Sequence, residues 1–199
     1  PHELVMVAKR AASQSKVFPR PYFALHPVAD IPQRIPPEMT LAIARRESEF
    51  YPKVASPVGA LGMMQVMPKT AKEVAKRLGL KFSSERMLSD WKYNAKIGVA
   101  YLEELSERYE GNPILMAVAY NAGPSRADRW IELLGDPRSP KVDLVQWVES
   151  IPFEETRNYV MRVSESLPNY KVRLNKKPPN SFYFYLKGSG FLPLAPKSE

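Results

Sequence analysis

Ala42-Ile43-Ala44-Arg45-Arg46-Glu47-Ser48-Glu49-Phe50 sets a carboxylate where a helix should keep a core residue. Residues three or four apart share one face of a helix. Counting back from Glu47, that face holds Ala44, Ile43 and Met39; counting forward, it holds Phe50. Glu47 therefore interrupts an apolar stripe, while Arg45 and Glu49, four apart, can pair on another face. A carboxyl in such surroundings resists ionising, because burial disfavours the charged form. A proton retained near neutral pH is what a general acid needs. The competing reading is a helix end at which Glu47 turns to solvent.

Working outward, Pro36-Pro37-Glu38 opens this helix, with proline tolerated in the first turn and the acid near the positive dipole end. Thr70 can cap a second helix ending near Gly79. Asn94 can cap a third, with Ile97, Tyr101, Leu105 and Tyr109 at four-residue steps and Gly111 as its stop. Asn112-Pro113 reads as a cap and first residue of a helix running towards Tyr120. Pro124 to Leu134 reads as another, closed by Gly135. The last strong helix spans about Glu154 to Leu167, with Val160, Val163 and Leu167 inward. Packed helices joined by short turns predict an all-α domain. Val58 to Met67 is the exception: its glycines permit tight turns and close approach to a ligand, and a small hairpin is expected there.

The flanks differ from this body. Residues 1–37 hold seven of the 20 prolines, after a short helix expected from Leu4 to about Ser15. In the tail, Ser181-Phe182-Tyr183-Phe184-Tyr185-Leu186 is aromatic and β-prone, which predicts a strand or extended arm packed back on the domain. An aromatic platform for sugar stacking is the alternative.

Composition narrows the chemistry. The 199 residues are 44% hydrophobic, as in a globular protein with a substantial core. No apolar run approaches the roughly 20 residues of a membrane span. There is no cysteine, so disulfides and thiol nucleophiles are excluded. The histidines are His2 and His26, both in the leader, which disfavours a zinc site or a His-based triad. The formal net charge of +8 suits an acidic polymer as well as nucleic acid, but the cations are scattered and no nucleic-acid motif is present. The chain starts at Pro1 and reads as a fragment or processed form, so a missing signal peptide says nothing about compartment.

Four segments follow one another along the chain. They are Glu47-Ser48, the block Ser56 to Pro68 with Gly62-Met63-Met64-Gln65-Val66-Met67, Ala119-Tyr120-Asn121-Ala122-Gly123-Pro124, and Val148-Glu149-Ser150-Ile151-Pro152-Phe153-Glu154-Glu155-Thr156-Arg157-Asn158-Tyr159-Val160. In order and spacing they resemble the signature segments of the soluble lytic transglycosylase catalytic domain. That family cleaves bacterial peptidoglycan on a goose-lysozyme-like fold. The resemblance covers about residues 31–170. It implies an all-α lysozyme-like catalytic domain with a small hairpin or turn at the groove, residues 1–30 as a leader, and residues 171–199 as an extended tail. The leader is read either as the end of a preceding superhelical domain or as a structured linker.

The resemblance assigns the acid/base role to Glu47 and substrate contacts to Ser56, Gly62, Gln65, Met67, Tyr120, Asn121 and Glu149. Tyr120 would orient Glu47 or the substrate, and Asn121 would donate to an acetamido oxygen. Residue chemistry alone keeps alternatives open: Ser56 as a turn former, the methionines and Tyr120 as core, Glu149 as a helix-surface acid. Glu155, Arg157 and Tyr159 read as ties of the last helix to the body. Three departures from the pattern are Tyr51 for Asn, Met63 for Leu and Ser125 for Gly. No metal or organic cofactor is implied. The expected partner is the peptidoglycan glycan strand, not nucleic acid, with other cell-wall enzymes as associates of a monomer in the periplasm or bacterial cell envelope. A water-using muramidase and a non-catalytic glycan-binding module are the rival readings.

Overall fold

The computed structural model describes residues 1–189. The described residues form helices and turns, with no strand longer than an isolated bridge. Helix α1 spans His2–Ala12 and α2 Pro19–Tyr22, followed by a 3-10 turn at Pro27–Asp30. Helix α3, Pro37–Ser48, carries Glu47 near its end. Then come α4 (Pro68–Arg77), α5 (Ser84–Ser89), α6 (Trp91–Arg108), α7 (Pro113–Ala122), α8 (Pro124–Leu134), α9 (Leu144–Glu149) and α10 (Glu154–Arg173). A short turn of helix at Phe182–Phe184 follows.

Helix α3 lies at the centre, packed against α10, which in turn packs on α7. The expected stripe is real: Met39, Ile43 and Ala44 are fully buried and Phe50 nearly so. Each large side chain so buried contributes about 1.5–3 kcal/mol. Phe50 reaches the stripe differently from a continued helix. The helix stops at Ser48, and both Glu49 and Phe50 take positive φ, 51° and 66°. The Arg45–Glu49 pair forms at 3.7 Å.

Several element ends differ from the sequence expectation. Helix α4 begins at Pro68, so Thr70 lies inside it rather than capping it. Helix α6 is capped by Asp90, whose carboxylate accepts from Tyr93 N. Asn94 is instead a buried hub: it accepts from Met64 N at 2.9 Å and donates to Leu61 O at 2.9 Å and Met87 O at 3.2 Å. Helix α10 runs through Pro168 to Arg173. An internal proline costs about 3 kcal/mol, but Leu167 and Tyr170 on either side are fully buried, and their packing offsets it. The aromatic segment Ser181–Leu186 is a helical turn and not a strand. Among the described residues no edge strand is available to pair with, and β-propensity acts through packing with neighbours. The segment does pack back on the domain, with Tyr185 2% and Leu186 9% exposed. Residues 190–199 of the tail lie outside the described residues. Among the described residues no helix is long and apolar enough to cross a membrane.

Candidate active site

The last turn of α3 delivers Glu47 to a point where α10 and α7 meet it. The residue keeps some surface, but desolvation dominates at its carboxyl and raises its pKa from 4.5 to about 7. The Tyr159 hydroxyl, from α10, donates to Glu47 Oε1 at 2.6 Å and opposes the shift, as does the Arg46 charge; Glu155 adds to it. Arg46 also lies over the Tyr159 ring, 5.6 Å from its centroid. Burial and the nearby Glu47 charge together push the Tyr159 and Tyr120 phenols well above their ordinary range, so both stay protonated donors. The arrangement can hold a proton on one carboxyl near neutral pH and aim that carboxyl with a fixed phenol.

Tyr120 does not hold Glu47. Its hydroxyl donates to Met64 O at 2.7 Å and pins the glycine turn to α7. Ser48, beside Glu47, pins the same turn by donating to Met63 O at 2.7 Å. The turn itself has two antiparallel bridges, Ala55 to Leu61 and Leu61 to Val66, which make the expected small hairpin. Gly62 is buried inside it at φ 73°, where a Cβ would collide with Met87 O and Asn94 Nδ2. Gln65 adopts φ 47°, and its Nε2 donates to Val54 O at 3.0 Å and Gly62 O at 2.8 Å, which leaves its Oε1 as the free end. The Ser56 hydroxyl accepts from Ala60 N at 2.9 Å, the turn-forming use of a serine before proline.

Gln65, Met67, Tyr120 and Asn121 come together on one cavity of about 250 Å³. Met67 is 43% exposed, so it offers an apolar wall rather than core filling. Asn121 Oδ1 accepts from Thr156 Oγ1 at 2.7 Å and leaves its Nδ2 as a donor. Gly62 and Ser56 face into the turn and do not line that cavity. Glu149 is exposed at the end of α9 and lines a different, apolar cavity with Leu144, Val145 and Phe182.

The description "Transglycosylase SLT domain" matches residues 29–140, more than half of the chain. The chain belongs to the transglycosylase SLT domain family. An SLT-domain relative, the soluble lytic murein transglycosylase of Escherichia coli (strain K12), is 42% identical over 147 residues, covering 73% of this chain and 22% of the relative. The putative soluble lytic murein transglycosylase of Haemophilus influenzae is 40% identical over 142 residues, covering 71% and 23%. The chain thus spans about a fifth of the length of these relatives. Among solved structures, the 70 kDa soluble lytic transglycosylase of E. coli superposes with a TM-score of 0.79 at 31% identity, covering 92% of this chain and 30% of that one. An inactive mutant of the lytic transglycosylase Slt from Pseudomonas aeruginosa gives 0.64 at 37% identity, covering 71% and 22%. The SLT-domain fold is all-α and lysozyme-like, as expected.

The residue that sequence reasoning left out of the site is Tyr159. It reads as a tie of the last helix to the body, which it is, but its partner is the candidate acid itself. The available signal was its helical face: Thr156, Tyr159 and Val163 are all buried, and a buried phenol usually finds a hydrogen-bond partner.

Proposed function

We propose that this chain is the catalytic domain of a peptidoglycan lytic transglycosylase. It cleaves the β-1,4 bond between MurNAc and GlcNAc and forms a 1,6-anhydroMurNAc end. The observation that carries the reading is the enclosed Glu47 carboxyl, with a pKa near neutral and a phenol fixing its direction. Such a group can serve both steps. It first protonates the glycosidic oxygen. It then takes a proton from the muramyl C6 hydroxyl, which attacks C1 of the same sugar without water. The attack is intramolecular, so the reacting groups are already held together.

Tyr159 is the positioning residue for Glu47. The Asn121 amide and Gln65 Oε1 are suited to acetamido and hydroxyl groups of a glycan, and Met67 to a sugar face. Ser56 and Gly62 act through the shape of the turn, and Tyr120 anchors that turn. Glu149 takes no part in bond breaking. The substrate is the glycan strand, which sets the location as periplasm or cell envelope; the domain acts as a monomer, with other cell-wall enzymes as associates.

The test is Glu47→Gln. Gln keeps the shape and can still accept from Tyr159, but it cannot supply or regain a proton. Turnover on purified peptidoglycan should fall at least about a hundredfold with binding to sacculi retained. A variant that still cleaves would remove the assignment.

A further inference from the structure

The two arginines before Glu47 are used differently. Arg45 is buried, donates to Tyr22 O and pairs with Glu49. Arg46 is exposed and makes no hydrogen bond or ion pair among the described residues. Its guanidinium instead lies over the Tyr159 ring, 5.6 Å from the centroid, and that ring's hydroxyl donates to Glu47 Oε1 at 2.6 Å. The stack joins two elements, since Arg46 belongs to α3 and Tyr159 to α10. Titratable and charged groups face Glu47 from every side. Arg46 comes from its own helix, Tyr159 and Glu155 from α10, and Tyr120 from α7. Of these, Tyr159 alone hydrogen-bonds the carboxyl. Arg46 favours the Glu47 anion, and Glu155 opposes it more weakly. Glu155 makes no ion pair among the described residues, so contact with it does not cancel the Arg46 charge.

We infer that Arg46 is a second positioning residue for Glu47 and acts through the Tyr159 ring: the stacked cation holds the phenol in line and strengthens its hydroxyl as a donor. The inference rests on the acid/base reading of Glu47 above. The face of an aromatic ring is its negative side and attracts a cation. A guanidinium is planar and always charged, so it stacks there without a titration of its own. The cation also draws electron density from the phenol; Arg46 lowers the Tyr159 pKa, against the larger effect of burial. A stronger O–H donor favours the charged form of the carboxyl that accepts from it. In the proposed reaction Glu47 is an anion only between two proton transfers. Its proton has then gone to the glycosidic oxygen, and the one from the C6 hydroxyl has not yet arrived. That interval is where the Arg46–Tyr159 stack matters, because it stabilises the anion and keeps it aimed.

Two readouts on the intact chain separate this inference from the cleavage reading. The first is the titration midpoint of the Glu47 carboxyl, followed by carbon-13 NMR of chain labelled at glutamate, with Glu47→Gln assigning the signal. It needs no turnover. The second is kcat and KM on purified peptidoglycan across pH. Arg46→Gln should raise the midpoint by about half a pH unit and move the alkaline limb of kcat/KM with it. It should lower kcat about threefold and change KM less than about twofold. Arg46→Lys keeps the cation and should recover at least about half of the midpoint shift. In a Tyr159→Phe background, Arg46→Gln should move the midpoint less than about half as far, because the hydroxyl that carries the effect is gone. A midpoint unmoved by Arg46→Gln, or a loss confined to KM, would overturn the inference. So would an equal shift with and without the hydroxyl, since the charge would then act on Glu47 directly. Arg46 is exposed, so an unaltered thermal unfolding profile is the control. The expected midpoints in a chain that does not cleave peptidoglycan would uphold the Arg46 role and sink the transglycosylase reading instead.

Discussion

Burial and the Tyr159 phenol act on the Glu47 proton in opposite directions. Burial is the larger and raises the pKa to about 7, while the hydrogen bond favours the anion. The acid form that the proposed reaction needs is therefore present below about pH 7 and is lost as pH rises through it. Removing the phenol hydroxyl removes a stabiliser of the anion, so the pKa rises further. Tyr159→Phe should move the alkaline limb of kcat/KM to higher pH and lower kcat about tenfold or more, through loss of aim. A limb that moves to lower pH, or an unmoved limb with unchanged kcat, would refute the pairing. The residue stripe around Glu47 was legible in the sequence because helical spacing alone predicts it. The Tyr159 partnership was not, since it joins residues 112 positions apart and depends on how α10 crosses α3.

Two elements hold α3 in place, and each is testable. The first is the glycine turn, tied to α3 by Ser48, to α6 by Asn94 and to α7 by Tyr120. Gly62 is its tightest point, with backbone and side-chain atoms where a Cβ would go. Gly62→Ala should cost about 3 kcal/mol or more in unfolding free energy, because the Met87 carbonyl and the buried Asn94 amide must both move. A cost under about 1 kcal/mol would show that the turn is not packed in this way. The second element is the leader, which converges on the end of α3. His2 hydrogen-bonds with Glu49 O at 2.9 Å, Lys9 pairs with Glu49, and the buried Arg45 donates to Tyr22 O at 3.1 Å while stacking on Tyr22 and Phe23. His26 stacks on Phe50 and meets Trp91 edge-on.

Burial holds the His26 pKa near 4, below the ordinary 6.5. The neutral ring also accepts from Val28 N, which the protonated ring could not do as well. Its contribution is complete above about pH 6.5 and is lost as pH falls towards 4. His26→Phe keeps a stacking ring without a titrating nitrogen. Between pH 6.5 and about 5, above the range of most carboxylates, its unfolding midpoint should fall less than that of the parent. An equal or steeper fall would place His26 outside the acid response. The proline-rich sequence of the leader announces turns, but not that those turns end on residues 45–51.

At the scale of the molecule, the sequence pattern was sufficient for an all-α body because caps and breakers stand in plain view. Asn112-Pro113 and Gly135 bound their helices as read. It failed where tertiary packing overrides local preference: Asn94 became a buried hub, Pro168 an internal helix residue, and the aromatic tail a helical turn. Short helices such as Ser84–Ser89 and Leu144–Glu149 gave no long periodic signal. Of the candidate site, Gln65, Met67, Tyr120 and Asn121 converge on one cavity from the turn and α7, Glu47 is met by the α10 phenol, and Glu149 faces another cavity. Such convergence leaves one question that decides the chemistry: whether the oxygen that attacks C1 comes from the sugar or from water. The direct measurement is digestion of purified peptidoglycan in heavy-oxygen water, with mass spectrometry of the new muramyl ends. The single-carboxyl account predicts anhydro ends, lighter than the hydrolysed product by one water and free of label. Labelled reducing muramyl ends would contradict it and make the domain a hydrolase.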